Sequence, residues 1–282
     1  MAKRGRGGGV AALAVLVIAG GAAIVWGPGL WDRYGDRVLP SGQCTVTLGD
    51  RTDTKTAEQA NNIGIIVAGS IRHGLPARAA TIAVATAIQE SSLRNIDYGD
   101  RDSVGLFQQR PSQGWGSVEE IMDPYYSTDR FYDALERIPD WGALEITVAA
   151  QAVQRSAFPD AYADHEEEGR LWASALTGHG GAVWCDLGGA ETTTARAFTA
   201  RLAADFGADA VAVQVADVNS ESTVLAVTGA SPTVTGAVQQ WAVAVAAVEG
   251  VTASGSADQV WLRNDDGTAP TGDGVLVEMR TD

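Results

Sequence analysis

ARAATIAVATAIQESSLRNIDYGDRDSVGLFQQRP, residues 77–111, runs from an apolar helical stretch into a loop crowded with polar side chains. From Ala77 to Leu93, apolar residues such as Ile82, Val84, Ala85 and Ile88 occupy most sides of a helix, which predicts a buried, central one. It closes on Gln89-Glu90-Ser91-Ser92, a carboxylate at the rim of an apolar helix followed by two small hydroxyl residues. A glutamate there is either a solvated helix-end residue or a desolvated carboxyl whose pKa rises toward neutrality, as a general acid requires. Asn95–Pro111, with its charges and glycines, reads as a loop.

Around this stretch, apolar spacing predicts further helices over 54–71, 127–135, 146–153 and 162–176. The first carries Ala57, Ala60, Ile63, Ile66, Val67 and Ile71 on its apolar positions and ends before Gly74 and Pro76. Between 44 and 186 almost nothing alternates with period two, so this part is expected to be an all-helical domain. Residues 187–194 (LGGAETTT) read as a linker. Beyond it, helices are expected at 194–206 and 232–248, with strands at 210–215, 223–228, 259–263 and 275–279. That α-β-β-α-β-β order suggests a small α/β sandwich over 195–282, with no catalytic constellation in it.

The 282 residues are 45% hydrophobic and 20% charged, a folding composition. A formal charge of −15 leaves little from which to build the basic face that nucleic acid needs. Lysine occurs only at Lys3 and Lys55, which excludes a P-loop. Lys3, Arg4 and Arg6 precede an unbroken apolar run from Val10 to Trp26, and a Gly/Pro-rich tether follows over 27–43. This predicts a single-pass anchor in residues 1–26, with a cytoplasmic N-terminus and the bulk of the chain outside, or else a cleaved signal peptide and a secreted protein. Bulky Ile24, Val25 and Trp26 sit where a cleavage site would need small residues, which favours the anchor. Cys44 and Cys185, neither in a C-x-x-C, are expected to pair outside the cell, the alternative being two unrelated buried thiols. His73, His165 and His179 are too scattered to suggest zinc, and neither metal nor cofactor is expected.

Glu90-Ser91, followed by Ser103 and then Gly105-Leu106-Phe107-Gln108, resembles the lytic transglycosylase and goose-type lysozyme superfamily over residues 54–178. Phe107 stands where that family usually has Met. The run Gly105–Pro111 (GLFQQRP) is similar to a branch common in exported proteins of high-GC Gram-positive bacteria. The resemblance implies a lysozyme-like helical fold, peptidoglycan glycan strands as substrate, Glu90 as the catalytic acid/base, and Ser91, Ser103, Gly105, Gln108 and Gln109 lining the site. The family's Ala-Tyr-Asn motif would fall within 148–156, with Gln151 where its tyrosine is expected. Gln151 and Gln154 are therefore candidates to orient Glu90 or to bind an N-acetyl group, or they form a polar helix face. Trp115, between two glycines, is the best candidate for stacking on a sugar ring. Arg110 and Arg155 either contact peptide-stem carboxylates or pair with the chain's own acids.

In the chemistry so implied, one glutamate protonates the oxygen of the MurNAc-β-1,4-GlcNAc bond and then removes the C6 hydroxyl proton, leaving a 1,6-anhydro end. Should Asp97, Asp100 or Asp102 face Glu90 across about 6.5–9.5 Å, an inverting muramidase is the better reading; otherwise the trio is a hydrated loop. A catalytically inactive peptidoglycan-binding or scaffolding protein, and an adaptor whose C-terminal part binds a protein partner, are the non-enzymatic alternatives.

Overall fold

A computed structural model describes residues 42–156, 160–264, 267–272 and 274–281. The expected anchor and most of the tether lie outside these residues. Among the described residues, no helix is long and apolar enough to cross a membrane.

The fold is mixed α/β, with two antiparallel sheets among the described residues. β1 (Gly42–Leu48) and β2 (Arg51–Thr56) form a hairpin, and β3 (Ala182–Leu187) pairs with the other edge of β1 to give the order β2-β1-β3. This sheet corrects the all-helical expectation for 44–186. Its period-two signal exists, in buried Cys44 and Val46 on β1 and Val183, Cys185 and Leu187 on β3, but it is only two or three residues deep on each strand. β1 and β3 are also separated by the whole helical segment, and β2 buries no residue. Cys44 lies opposite Cys185 in the register, and the two form the expected disulfide.

Residues 54–56, expected to open the first helix, instead continue β2. Thr56 then caps α1 (Ala57–Arg72): its hydroxyl accepts from the Gln59 amide at 3.3 Å, and its own amide donates to Gln59 Oε1 at 2.9 Å. α2 (Ala77–Ser91) is the predicted central helix, buried from Ala79 to Ile88. The short α3 (Val118–Ile121) and α4 (Pro124–Glu136) follow, the latter begun by Asp123 accepting from the Tyr125 amide with Pro124 in its first turn. α5 (Ile146–Gln154) and α6 (Glu166–Leu176) complete the helical layer around α2. Gly169 of α6 presses directly on the α2 backbone, since a Cβ there would stand 2.8 Å from the Thr81 carbonyl oxygen.

After coil residues 188–194 come α7 (Ala195–Phe206), β4 (Val211–Val218), β5 (Ser222–Gly229), α8 (Pro232–Ala244) and the short α9 (Ala246–Glu249). β6 (Val251–Gly255), β7 (Val260–Leu262) and β8 (Val275–Arg280) close the chain, and the five strands pair in the order β4-β5-β8-β6-β7. β6 was not expected. Its VTASG sequence is mostly small, because it lies in the sheet interior where a Cβ on Gly255 would stand 2.1 Å from the Pro270 carbonyl oxygen.

The described residues belong to one compact unit, and the two sides of the 188–194 coil share a core. Trp261 donates its indole N–H to the Cys185 carbonyl at 3.0 Å, and the Val183 amide donates to Gln240 Oε1 at 2.7 Å. A buried charge cluster joins α7, α8 and α9 to α1 and α4. Fully buried Asp205 accepts from Arg201 Nε at 3.0 Å, from the Tyr125 hydroxyl at 2.6 Å and from the Trp241 indole. Arg201 also donates to Glu249 at 2.9 Å and to Asn61 at 3.1 Å.

Candidate active site

Glu90 occupies the last turn of α2. The helix ends because Ser92 and Leu93 both take the left-handed conformation, with φ of 52° and 60°. Such geometry is costly for non-glycine residues and persists only where the surroundings enforce it. Here they do. Gln59 of α1 donates to the Ser92 carbonyl at 2.9 Å, Asn62 donates to the Leu93 carbonyl at 2.8 Å, and the Leu93 side chain is fully buried. Ser91 donates its hydroxyl to the Leu106 carbonyl at 2.7 Å, fastening the helix end to the following turn.

That turn is a small closed structure. The Val104 amide donates to the Gln109 carbonyl at 3.0 Å and the Gly105 amide to the Ile96 carbonyl at 2.7 Å. Gly105 has φ +80°, and a Cβ on it would stand 2.8 Å from the Ile121 carbonyl oxygen, so only glycine fits. Gln108, also left-handed, donates to the Tyr98 and Gly105 carbonyls, each at 3.3 Å. Phe107 stacks on Phe131 with ring centroids 4.6 Å apart, filling the place where the resembled family has Met. Gln109 is buried and donates to the Ser127 carbonyl at 3.0 Å, and Ser103 is buried with its amide on the Asp100 carbonyl. The hydrogen bonds of Ser91, Gly105, Gln108 and Gln109 thus build the turn beside Glu90.

The carboxyl of Glu90 is held from two sides. Tyr162 donates its hydroxyl to Oε1 at 2.7 Å, and the Gln154 side chain also hydrogen-bonds it. Burial pushes the Glu90 pKa above the ordinary glutamate value, while the Tyr162 and Gln154 hydrogen bonds favour the charged form and limit the rise. Burial and the neighbouring Glu90 push the Tyr162 hydroxyl well above the usual tyrosine range, so it remains a donor. Gln154 Nε2 also reaches the Phe107 carbonyl at 2.8 Å, linking α5 to the turn. Gln151, where the family's tyrosine was expected, instead donates to the Ser156 carbonyl at 2.8 Å, and its Oε1 is buried without a partner among the described residues. The phenol on Glu90 comes from Tyr162, expected from the sequence only as the start of a helix. A tyrosine between Ala161 and Ala163 was the one signal available.

Asp102 is a clasp on the adjoining loop. Its carboxylate accepts from the Ser112 amide at 2.8 Å, from Arg110 Nε at 2.8 Å and from the Ser112 hydroxyl at 3.0 Å. These contacts, the amide first, hold its pKa far below the usual carboxylate range. Arg110 is thereby consumed inside the protein. Asp100 is exposed beside Arg101. Trp115, whose carbonyl accepts from the Tyr126 hydroxyl at 3.1 Å, lines a groove of about 610 Å³ together with Gln154, so the groove begins one side chain from Glu90. Elsewhere, His73, Asp133 and Glu136 place ligand-type atoms within 4.8 Å of one another, but His73 Nε2 is already hydrogen-bonded to Asp129 at 3.1 Å.

Compared with protein-family models and with curated proteins, the chain gives no match.

Proposed function

We propose that the chain is a membrane-anchored, peptidoglycan-cleaving enzyme of the cell envelope, a lytic transglycosylase that acts on the MurNAc-β-1,4-GlcNAc bond with Glu90 as its acid/base. The observation that carries this reading is the setting of Glu90: a desolvated carboxyl at the end of a buried helix, gripped by two neutral hydrogen-bonding side chains. Desolvation keeps the proton on Glu90 at a pH where free glutamate has lost it, as proton delivery to the glycosidic oxygen requires. As that proton leaves, the C–O bond breaks and positive charge develops at the muramoyl C1. Tyr162 and Gln154 then face a forming carboxylate, to which their hydrogen bonds are strongest. Glu90 next takes the C6 hydroxyl proton while that oxygen bonds to C1, so the glutamate returns to its acid form and no water is consumed. Asp102, with its contacts to Arg110 and Ser112, offers little support for a second catalytic carboxylate.

Incubating the full chain in detergent with purified peptidoglycan, followed by mass spectrometry, is expected to show fragments with 1,6-anhydromuramoyl ends. Reducing ends would replace the mechanism with hydrolysis, and the absence of released fragments would favour the scaffolding alternative.

Tyr162→Phe is expected to move the high-pH limb of kcat/KM upward. The hydroxyl stabilises the charged carboxylate, so its loss raises the Glu90 pKa further and extends the protonated form to higher pH. The maximal rate should fall about tenfold or more, since positioned proton transfer contributes about 10²–10⁴-fold. A limb that moves to lower pH contradicts this assignment.

A further inference from the structure

We propose that the groove beside Glu90 is a carboxylate-binding subsite for the peptide carried by the glycan, an inference that rests on the cleavage reading above. Three arginines line this groove of about 610 Å³ together with Trp115 and Gln154, and neither Asp nor Glu lines it. That is an unusual surface for a chain with 35 acidic and 20 basic residues. Arg130 lies on α4 and Arg137 caps its C-terminus, about two turns further along and so on the same side. Arg155 caps the C-terminus of the neighbouring α5.

Elsewhere Arg72, Arg110 and Arg201 are neutralised by Asp129, Asp102 and Asp205, and Arg78, Arg263 and Arg280 donate to backbone carbonyls. Among the described residues, only Arg130 of the three groove arginines has a carboxylate partner, the partly exposed Asp133 at 3.4 Å, and its Nε is buried without an acceptor. Arg137 and Arg155 are exposed and form no ion pair among the described residues. Clustered guanidinium groups repel one another, and each presents a planar fork that matches a carboxylate. Uncharged sugar hydroxyls would gain little from three such groups, whereas a peptide bearing carboxylates would relieve their repulsion. The placement is chemically consistent. The peptide is attached to the muramoyl residue whose glycosidic bond Glu90 would protonate, and Gln154 both lines the groove and hydrogen-bonds Glu90.

The test titrates the full chain carrying Glu90→Gln with three soluble probes: a disaccharide bearing a tripeptide, the same compound with its peptide carboxylates amidated, and the bare disaccharide. The free-acid probe is expected to bind about tenfold or more tightly than the other two. Adding Arg137→Gln and Arg155→Gln, both at exposed positions, should bring the three Kd values to within about twofold, with an unchanged melting temperature confirming the fold. Equal binding of acid and amidated probes, or a preference that survives the two substitutions, overturns the proposal. The two readings fail separately. Glu90-dependent cleavage without a carboxylate preference removes the subsite alone, whereas an arginine-dependent preference in a chain that never cleaves peptidoglycan removes the cleavage reading and leaves an acidic-peptide-binding groove.

Discussion

Glu90→Gln should lower release of soluble muropeptides by about 10²–10⁴-fold while leaving the fold intact. Gln retains the shape of the side chain and an oxygen that accepts from Tyr162, so the hydrogen-bonded frame around it survives. Only the transferable proton is lost. The stability change has a definite sign. The pKa of Glu90 is raised in the folded state, so ionising it opposes folding: stability is highest below the unfolded-state value and declines as pH rises through that value toward the folded-state one. Gln removes that penalty, and the variant is expected to melt at the same or a higher temperature near neutral pH, with the advantage vanishing in acid. A variant more stable but inactive is the signature of a residue kept for chemistry at some cost to folding. Wild-type rates of release from Glu90→Gln, or a melting temperature lowered by several degrees, would place the residue among structural ones and end the cleavage proposal.

Asp205→Asn is expected to destabilise the protein by about 3–5 kcal/mol, the range for breaking a buried ion pair by removing one partner. Asp205 is fully buried and serves three donors at once, from Arg201, Tyr125 and Trp241. Asn keeps one acceptor oxygen for that set and adds an N–H₂ that points donors at donors. The buried Arg201 guanidinium is then left with Glu249 as its only charged partner among the described residues. Because the cluster ties α7, α8 and α9 to α1 and α4, the loss should appear as a lower denaturant midpoint reported equally by tryptophan fluorescence and far-ultraviolet circular dichroism. An early, separate transition of the C-terminal strands would show instead that the two sides of the 188–194 coil unfold independently, and a change below about 1 kcal/mol would show the cluster to be solvated in solution.

Much of this molecule could be read from local pattern. A helix repeats every 3.6 residues, so α1, α2, α4, α5 and α6 announce themselves within their own segments, and Glu90 can be placed at the end of α2 because the helix and the 102–111 turn are contiguous. The bond between Cys44 and Cys185, expected from two isolated cysteines bracketing a long segment, is present. The β2-β1-β3 sheet was not legible in this way. β1 and β3 pair across a sequence separation of 141 residues at the disulfide, β2 buries no residue, and β1 and β3 show too few buried positions to register as an alternation. β6 escaped because an interior strand pressed by its neighbours carries small residues, which have no strong period. Tyr162 reaches Glu90, and Arg130, Arg137 and Arg155 share a groove, only after separate segments have packed around α2. Periodicity reports which way each side chain faces on its own element. Which distant group it meets is settled by how those elements pack, and no short stretch of chain contains that information.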